Sequence, residues 1–463
     1  MKRTEVAGKR ILVVGLARSG VAAANLLLAR GARVSITDLK PREQLAAEVR
    51  QLKGPVHFSL GGHRQEDFIG ADLIVLSPGI PLDLEPLREA AARRVPIWGE
   101  VELAYRFLNG IIIGVTGSNG KTTTTALLGE LFKRAGTPAV VAGNIGTPLV
   151  KFAEASEGHD RRSFIVELSS FQLESIDRFH CHIALVLNVT ADHLDRYSSM
   201  REYAAAKERI FRNEEESDFA VLNREDPITL KMAARRRSTP LLFSSKRPLK
   251  EGVVVDKGRI WIHWRGRKRS LMRTRDIRLK GIHNLENVLA ATAAGFLSGL
   301  DPEKMAEAIR TFAGVEHRLE WVREVDGVVF YNDSKATNVD SARKAIESFR
   351  RPLILIMGGL DKGADFRALG PLVKSRVRLL LLLGQAGPKI ADALGHFVST
   401  VQVKDLEEAL SRAVGKAQRG DVVLLAPACA SFDMFNDFEH RGDVFKQIVH
   451  RIKAKTEVVG EPS

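Results

Sequence analysis

A glycine-rich turn carries the residue types that bind phosphate groups. The sequence IIIGVTGSNGKTTTT reads as an apolar strand, a turn and the start of a helix. Gly117 and Gly120 let backbone N–H groups approach an anion without a Cβ in the way, and the helix adds the positive end of its dipole. Lys121 would lie along the β- and γ-phosphates, and the Thr122 hydroxyl would ligate Mg²⁺. We predict a nucleoside-triphosphate site, although strict motif spacing would need glycine in place of Val115; the alternative is a solvated lysine on an ordinary turn.

Two further residues have the chemistry of metal ligands. Glu167 interrupts the apolar run FIVELSS near the end of a predicted strand, and Mg²⁺ bound to a triphosphate usually takes a carboxylate from such a position. His193, in NVTADHLDRY, follows the next predicted strand and is a candidate for a second metal ion. The alternatives are a glutamate bonded to nearby backbone groups and a histidine on the surface.

The turn GLARSG follows the first predicted strand and opens a helix. It lacks the middle glycine of the dinucleotide fingerprint, so a nicotinamide cofactor is a weak prediction, but the crevice of an open α/β sheet still favours a nucleotide-like ligand. Asp38 ends the second strand and could bond a ribose or a base. Ser77 follows a later strand and either continues the crevice or belongs to a plain turn.

Three polar loops near the C-terminus each follow a predicted strand. They are YNDSKATN, MGGLDKGADF and APACASFDMFNDFEHRG. The carboxyl ends of parallel strands meet at one edge of a sheet, so we expect these loops to share a crevice. Ordinary turn chemistry explains their glycine, asparagine and serine residues, but it explains Lys335 and Lys362 less well.

The elements that carry these loops alternate in a regular way. Short apolar runs such as ILVVG, IIIGV and LLLLLG alternate with helical patterns, and the series restarts twice along the 463 residues. Uninterrupted apolar runs are typical of parallel strands buried on both faces. We predict an α/β protein of three domains, with a Rossmann-like N-terminal domain at 1–99, a central P-loop ATPase-like domain at 100–314 and a Rossmann-like C-terminal domain at 315–463.

The charge of the chain is concentrated in one segment. The chain has 70 Lys+Arg and 56 Asp+Glu, a net charge of +14, and residues 231–280 alone hold 17 basic and 3 acidic residues. The run VVVDKGRIWIHW in this segment predicts two antiparallel strands around a turn. The segment suggests a weak contact with an anionic surface. A nucleic-acid-binding protein is the competing class, but no helix-turn-helix, zinc-finger or RNP pattern supports nucleic acid as the main partner.

The compartment can be inferred from the cysteines and the hydropathy. Cys181 and Cys429 both lie in apolar surroundings and cannot form a disulfide framework, which favours a reducing cytoplasm. The apolar run that follows the N-terminus is too short to span a membrane. We therefore expect a cytoplasmic protein that is not transmembrane, and we expect a monomer.

Several of these motifs together resemble the Mur ligase family, which builds the cytoplasmic peptidoglycan precursor with ATP. The matching segments run in order along the chain: TGSNGKTT, VELSSFQLE, DHLDRY, HNLENVLAA, GVEHRLE and NDSKATN. The segments GLARSG, SPGI, GGLDKGADF and PACAS resemble the branch that joins D-glutamate to UDP-N-acetylmuramoyl-L-alanine. The resemblance implies an ATP-dependent amide ligase with an acyl-phosphate intermediate, two Mg²⁺ sites and closure of the third domain over the middle one. The alternatives are a relative that adds another amino acid and one that adds glutamate to folate.

The resemblance also implies a role for individual residues. ATP would contact Gly117, Asn119, Gly120, Lys121, Thr122, Thr123, Asn287, Arg318, Asp333 and Lys335. The metal ligands would be Thr122, Glu167, His193 and Lys207, with Lys121, His193 and Lys207 catalytic. Lys207 matches a lysine that is carbamylated in the family; taken alone it reads as a helix-surface residue. The nucleotide-sugar would meet Asp38, Ser77, Asn144 and Ser169, and D-glutamate would meet Thr337, Lys362, Ser431 and Phe438.

Overall fold

The computed structural model describes residues 5–144, 146–154, 162–192, 196–279, 281–361 and 363–453. Within these ranges the strands form three separate β-sheets. Each sheet is wholly or mainly parallel and alternates with helices along the chain, so the predicted three-part α/β architecture is confirmed. None of the described helices combines the length and the apolar character that crossing a bilayer requires.

The first sheet is parallel throughout and has the strand order β3-β2-β1-β4-β5. Its strands are β1 (Arg10–Val14), β2 (Arg33–Asp38), β3 (His57–Leu60), β4 (Leu73–Leu76) and β5 (Ile97–Gly99). The accompanying helices are α1 (Arg18–Ala29), α2 (Ala46–Val49), α3 (Gln65–Ile69), α4 (Glu85–Ala92) and α5 (Glu100–Tyr105). The order reverses at β1 and β4, and a doubly wound sheet binds ligands in the crevice at that point.

The second sheet has the order β14-β13-β12-β11-β10-β9-β6-β8-β7. Its strands are β6 (Ile111–Thr116), β7 (Ala139–Gly143), β8 (Ser163–Glu167), β9 (Ile183–Val186), β10 (Phe219–Asn223), β11 (Thr239–Ser244), β12 (Gly252–Asp256), β13 (Arg259–Trp264) and β14 (Arg267–Arg273). The helices are α6 (Lys121–Ala135), α7 (Val150–Glu154), α8 (Ser170–Glu174), α9 (Met200–Glu208), α10 (Pro227–Ala233), α11 (Ile282–Leu297) and α12 (Pro302–Thr311). The pairs β12–β13 and β13–β14 are antiparallel. The pair β12–β13 is the hairpin predicted from the run VVVDKGRIWIHW. The strand β14, which adds a third antiparallel strand, was not predicted.

The third sheet has the order β15-β16-β20-β17-β18-β19 and is parallel except for the pair β15–β16. Its strands are β15 (Glu320–Val325), β16 (Val328–Asn332), β17 (Leu353–Gly358), β18 (Val377–Leu383), β19 (Thr400–Gln402) and β20 (Val422–Leu425). The helices are α13 (Val339–Glu347), α14 (Gly370–Arg376), α15 (Gly387–Leu394), α16 (Leu406–Lys416) and α17 (Phe438–Arg451). Every residue of β17 is buried, which explains why its sequence is an unbroken apolar run.

The chain forms two compact units. The first contains residues 1–189, 199–276 and 286–311, and so holds the first and second sheets together. The second contains residues 190–198, 277–285 and 312–463 and is built around the third sheet. The three domain boundaries therefore stay a prediction.

Candidate active site

The glycine-rich turn joins β6 to α6 in the first unit. Gly120 has φ = +88° and precedes the first residue of the helix, a conformation that side chains other than glycine rarely adopt. A Cβ at Gly120 would lie 2.2 Å from Oδ1 of Asn287, so the close approach also excludes a side chain. The same distance shows that the Asn287 side chain lies directly beside the turn. Thr122 and Thr123, in the first helical turn, are both buried.

Asn188 holds the same turn in place. Its backbone carbonyl accepts a hydrogen bond from Ser118 N–H at 2.9 Å, and its side-chain oxygen accepts one from Asn119 N–H at 2.9 Å. Its side-chain NH₂ donates to the carbonyl of Asn119 at 3.0 Å. Sequence reasoning did not single out this residue, and the only signal was an asparagine that ends an apolar strand run.

Two lysines converge on the turn from different helices. Lys121 Nζ donates to the carbonyl oxygens of Gly117 and Ser118 at 2.8 and 3.0 Å. Lys207 Nζ donates to the same Gly117 oxygen at 3.0 Å and lies 4.4 Å from the ring centre of Tyr203. The Lys207 side chain is 1% exposed, so it is not the surface residue that its helix alone would suggest.

Glu167 is the buried carboxylate beside the turn. It lies on β8 in register with Val115 of β6 and is 2% exposed. Its Oε1 accepts a hydrogen bond from Asn144 Nδ2 at 3.2 Å, while Oε2 is buried and has no hydrogen-bond partner among the described residues. A buried carboxylate oxygen in this state is costly, and a hard cation such as Mg²⁺ would satisfy it. The donor chemistry therefore fits the predicted metal ion.

The second metal site is less complete. His193 lies outside the described residues, and Lys207 is the predicted ligand that the structure places at the turn. In the part of the chain that the structure describes, no group of three or more His, Cys, Asp or Glu side chains could hold a metal ion.

The first sheet brings two predicted residues to the turn GLARSG. Asp38 Oδ2 accepts a hydrogen bond from Leu16 N–H at 2.7 Å, and Ser77 Oγ donates to the carbonyl of Gly15 at 2.7 Å. A Cβ at Gly20 would lie 2.0 Å from that same carbonyl oxygen, which explains the second glycine. Asp38 and Ser77 therefore fix the shape of this turn from both sides.

A small pocket is lined by Ser77 and its neighbours at the first sheet and by residues in and just after α8, which accompanies the second sheet. Its polar lining includes Glu100, Gln172 and Ser175. Glu100 accepts a hydrogen bond from Val150 N–H at 2.7 Å, but no described residue donates to its Oε2, and burial raises the pKa of this carboxyl to about 7. Sequence reasoning missed Glu100. Ser169 was predicted, and its hydroxyl caps α8 by accepting from the backbone N–H of Gln172.

The second unit has its own pocket, lined by His283, Arg318, Asp333 and Lys344 among others. Asp333 is buried, which raises the pKa of its carboxyl to about 6, and its Oδ1 accepts a hydrogen bond from Leu319 N–H. Burial, followed by the charges of Arg318 and Lys344, lowers the pKa of His283 to about 3, so this imidazole is neutral. Two predicted residues, Arg318 and Asp333, thus lie together, while His283 and Lys344 were missed.

The loops after β16 and β20 are joined by α17. Lys335 Nζ lies 5.3 Å from the ring centre of Phe438, and Ser334 Oγ donates to the carbonyl of Phe438 at 2.8 Å. Arg441, 1% exposed, donates to the side chain and the carbonyl of Ser334 and to the carbonyl of Cys429. Burial lowers the pKa of Arg441 to about 10. Sequence reasoning did not predict its role.

The remaining predicted residues of the second unit lie on or next to these loops. Ser431 is buried and follows the segment that Arg441 contacts. The backbone N–H of Thr337 donates to the carbonyl of Lys335 at 2.8 Å. Lys362 lies outside the described residues.

Three family models match successive parts of the chain. Residues 9–99 match the "Mur ligase MurD-like, N-terminal domain", 115–295 the "Mur ligase middle domain" and 317–429 the "Mur ligase, glutamate ligase domain". The chain belongs to the Mur ligase family. Among similar curated members, the UDP-N-acetylmuramoylalanine–D-glutamate ligase of Geotalea daltonii is 46% identical over 449 residues, 97% of this chain and 98% of that protein. The ligase of the same name from Solibacter usitatus is 47% identical over 97% of this chain and 99% of its own length.

Solved structures of Mur ligases share the fold over nearly the whole chain. The pseudomurein peptide ligase type C from Methanothermus fervidus aligns with a TM-score of 0.61 at 18% identity, over 96% of this chain and 100% of its own. The MurF ligase from Thermotoga maritima, determined in complex with ADP, aligns with a TM-score of 0.61 at 16% identity, over 98% and 100%. At these identities the likeness establishes the three-domain fold of the family.

Proposed function

We propose that this Mur ligase joins D-glutamate to UDP-N-acetylmuramoyl-L-alanine and cleaves ATP to ADP and phosphate. The observation that carries the proposal is the convergence of Lys121 and Lys207 on one glycine turn, with Glu167 on the strand that pairs with β6, in a chain whose full-length relatives carry this activity in their names. That arrangement suits phosphoryl transfer, where catalysis comes mostly from positioning and from neutralising charge.

The ATP-binding residues come from two groups. On the first unit we assign the triphosphate to the turn and the start of α6, with Asn287 beside it; the residues are Gly117, Asn119, Gly120, Lys121, Thr122, Thr123 and Asn287. On the second unit we assign the remaining nucleotide contacts to Arg318, Asp333 and Lys335. Mg²⁺ would be held by Thr122 and Glu167, with His193 and Lys207 at a second ion, and it would neutralise phosphate charge.

The reaction begins with a poor electrophile, the carboxylate of the alanyl group. This carboxylate attacks the γ-phosphorus of ATP, the bond from that phosphorus to the bridging oxygen breaks, and an acyl phosphate and ADP result. The deprotonated amine of D-glutamate then attacks the acyl carbon, and the tetrahedral intermediate expels phosphate as the amide forms. We assign Lys121 the role of neutralising charge on the transferring phosphoryl group.

The other two substrates are assigned to the outer crevices. Asp38 and Ser77 border the turn at the end of β1, where Asp38 retains lone pairs that can accept from a uracil N–H. Leu39 and Lys40 follow Asp38, where the family often has Thr-Arg. We assign the rest of the nucleotide-sugar to Asn144 and Ser169. D-glutamate is assigned to Thr337, Lys362, Ser431 and Phe438, with Lys362 as partner of a substrate carboxylate.

The setting of the enzyme is also a proposal. We infer that it works in the cytoplasm, which the two free, buried cysteines support. We infer further that it acts as a monomer. We propose three domains, with boundaries that place them at residues 1–99, 100–314 and 315–463.

One experiment tests the assignment of substrates. Phosphate release from ATP is measured with UDP-N-acetylmuramoyl-L-alanine and a panel of L- and D-amino acids. Release that depends on D-glutamate supports the proposal, and release with another amino acid in its place identifies a different branch of the family. Activity with a folate and glutamate, but not with the nucleotide-sugar, would overturn it.

A further inference from the structure

The strand β14 lies at one edge of the second sheet, as far as the structure describes that sheet, and pairs with β13. It carries four exposed cations in seven residues: Arg267, Lys268, Arg269 and Arg273. At about 3.4 Å per residue they extend along roughly 20 Å of sheet edge. Nothing in the proposed ligase reaction uses this edge.

The residues opposite these cations do not neutralise them. In the antiparallel register Arg273 faces Arg259, Lys268 faces His263 and Arg267 faces Trp264. Like charges directly opposite one another destabilise a strand pair. None of the four cations forms an ion pair with any residue that the structure describes.

Two of the three acidic residues of the segment 231–280 are engaged away from β14. Glu251 accepts hydrogen bonds from the backbone N–H groups of Arg265 and Gly266 at 2.7 and 3.1 Å, and Asp276 lies 3.8 Å from Arg275. Two cations near the start of the segment are paired, since Arg235 and Arg236 both contact Glu208. β14 thus presents four exposed cations on one strand without an ion pair among the described residues.

The aromatic residues of the segment favour a charged surface over a nucleic acid as the partner. Trp264 is half-buried and packs edge-on against Phe219 and Phe296, with ring centres 6.3 and 6.4 Å away. Trp261 is half-buried, and no large apolar side chain of β12, β13 or β14 is exposed. Single-stranded nucleic acid is bound by bases stacking on exposed aromatic rings, which are lacking here. Anionic lipid attracts clustered basic residues by charge alone.

We propose that β14 docks the enzyme on the surface of a bilayer that contains anionic phospholipid. The cations also keep the edge from pairing with another strand, as charged edge strands generally do. That second role requires no affinity for lipid, so the two can be separated by experiment.

The test is sedimentation of the full-length protein with vesicles of neutral phosphatidylcholine and with vesicles containing phosphatidylglycerol. We expect binding to the anionic vesicles alone, weakening between about 0.05 and 0.15 M salt as screening grows. Each basic residue near such a surface contributes about a fivefold factor in affinity, so the variant R267Q/K268Q/R269Q/R273Q should bind more than a hundredfold more weakly. Its ligase turnover in solution should be unchanged.

Two control variants isolate the cause. The variant K374Q/K404Q/K416Q/R419Q removes the same charge from exposed positions in the second unit and should keep full vesicle binding. The variant R267K/R269K/R273K keeps the charge of β14 and should also bind. Equal binding to neutral vesicles, loss of binding in either control, or displacement of the vesicles by duplex DNA at equal anionic charge would overturn the proposal.

Discussion

Lys121 and Lys207 donate to one carbonyl oxygen, that of Gly117, from helices far apart in the chain. With donor distances of 2.8 and 3.0 Å, their nitrogens are at most 5.8 Å apart. Two ammonium groups at that separation repel each other, and here one of them is half-buried and the other is fully buried. A bound phosphate group would relieve the repulsion, and so would conversion of Lys207 to a carbamate, which replaces a cation with a carboxylate-like group.

The variant Lys121→Ala removes the cation assigned to the transferring phosphoryl group. Losing one such contact typically lowers kcat by about 10²–10³-fold. We therefore expect phosphate release to fall by at least that factor, while calorimetry shows nucleotide-sugar affinity close to that of the parent. Lys133→Ala, exposed on the same helix, is the matched control and should be fully active. Near-parental turnover in Lys121→Ala would remove the ATP role of this lysine.

The variants of Lys207 test the carbamate. Lys207→Ala should lose activity, and bicarbonate or a short carboxylic acid should restore part of it by occupying the same space with an anion. Lys207→Arg keeps the positive charge and cannot be carbamylated, so it should stay inactive with either addition. Phosphate release is the readout for both variants. An active Lys207→Arg would show that a simple cation suffices.

The carboxyl of Glu100 links pH to stability. Burial raises its pKa from an ordinary value of 4.5 to about 7. The folded state therefore holds a proton that the unfolded state has released, and stability is lost as the pH rises from about 4.5 to about 7. Glu100→Gln keeps the acceptor for Val150 N–H and should remove this loss, on the order of 2–3 kcal/mol. Urea unfolding at pH 5 and pH 8 measures this loss of stability. The control is Glu85→Gln, at an exposed position. An unchanged pH dependence in Glu100→Gln would contradict the link between Glu100 and stability.

The loops of the third sheet depend on one helix for their position. Arg441, in the first turns of α17, binds the loop after β16 through Ser334 and the loop after β20 through Cys429. A buried guanidinium with neutral acceptors stays favourable only if nearly all of its donors are used. We infer that α17 sets the distance between these two loops.

Replacing Arg441 tests this role. Arg441→Met removes all of these hydrogen bonds and leaves buried carbonyls without donors, so we expect the free energy of unfolding to fall by about 3 kcal/mol or more. Arg441→Lys should recover part of the stability, yet still show a raised KM for D-glutamate, because one ammonium cannot span both loops. Urea unfolding and steady-state kinetics give the two values. If Arg441→Lys is less stable than the parent but has the same KM, the helix does not position the loops.

Much of this architecture could be predicted because parallel strands buried on both faces require apolar runs. Such runs mark the three sheets, and the polar turns after them mark the strand ends where Glu167 and Asp333 lie. The contacts of Asn188 and Arg441 could not be predicted, because each depends on tertiary packing that brings distant segments together. β14 was missed because its cations mask the alternation that normally reveals a strand.

The stability of the whole chain should report the metal ion directly. Without ligand, Glu167 keeps a buried oxygen with no partner, at a cost of about 1–3 kcal/mol. Glu167→Gln removes the charge, so in EDTA the variant should be at least as stable as the parent. With a Mg²⁺ complex of a non-hydrolysable ATP analogue at 100 times its Kd, the parent should gain about 2.7 kcal/mol. The variant should lose most of the stability gain that depends on Mg²⁺. The parent is then the more stable of the two proteins, the reverse of their order in EDTA.

That reversal distinguishes a metal ligand from a structural carboxylate. A glutamate that only completes the hydrogen bond from Asn144 Nδ2 would leave the Mg²⁺-dependent gain intact when changed to Gln, since the amide oxygen still accepts that bond. Thermal unfolding with analogue alone, with Mg²⁺ alone and with both separates the contributions. An equal Mg²⁺-dependent rise in stability in both proteins would show that Glu167 does not bind the metal ion. It would also leave the buried oxygen to be explained by folding energetics, in which case Glu167→Gln should be more stable than the parent under every condition.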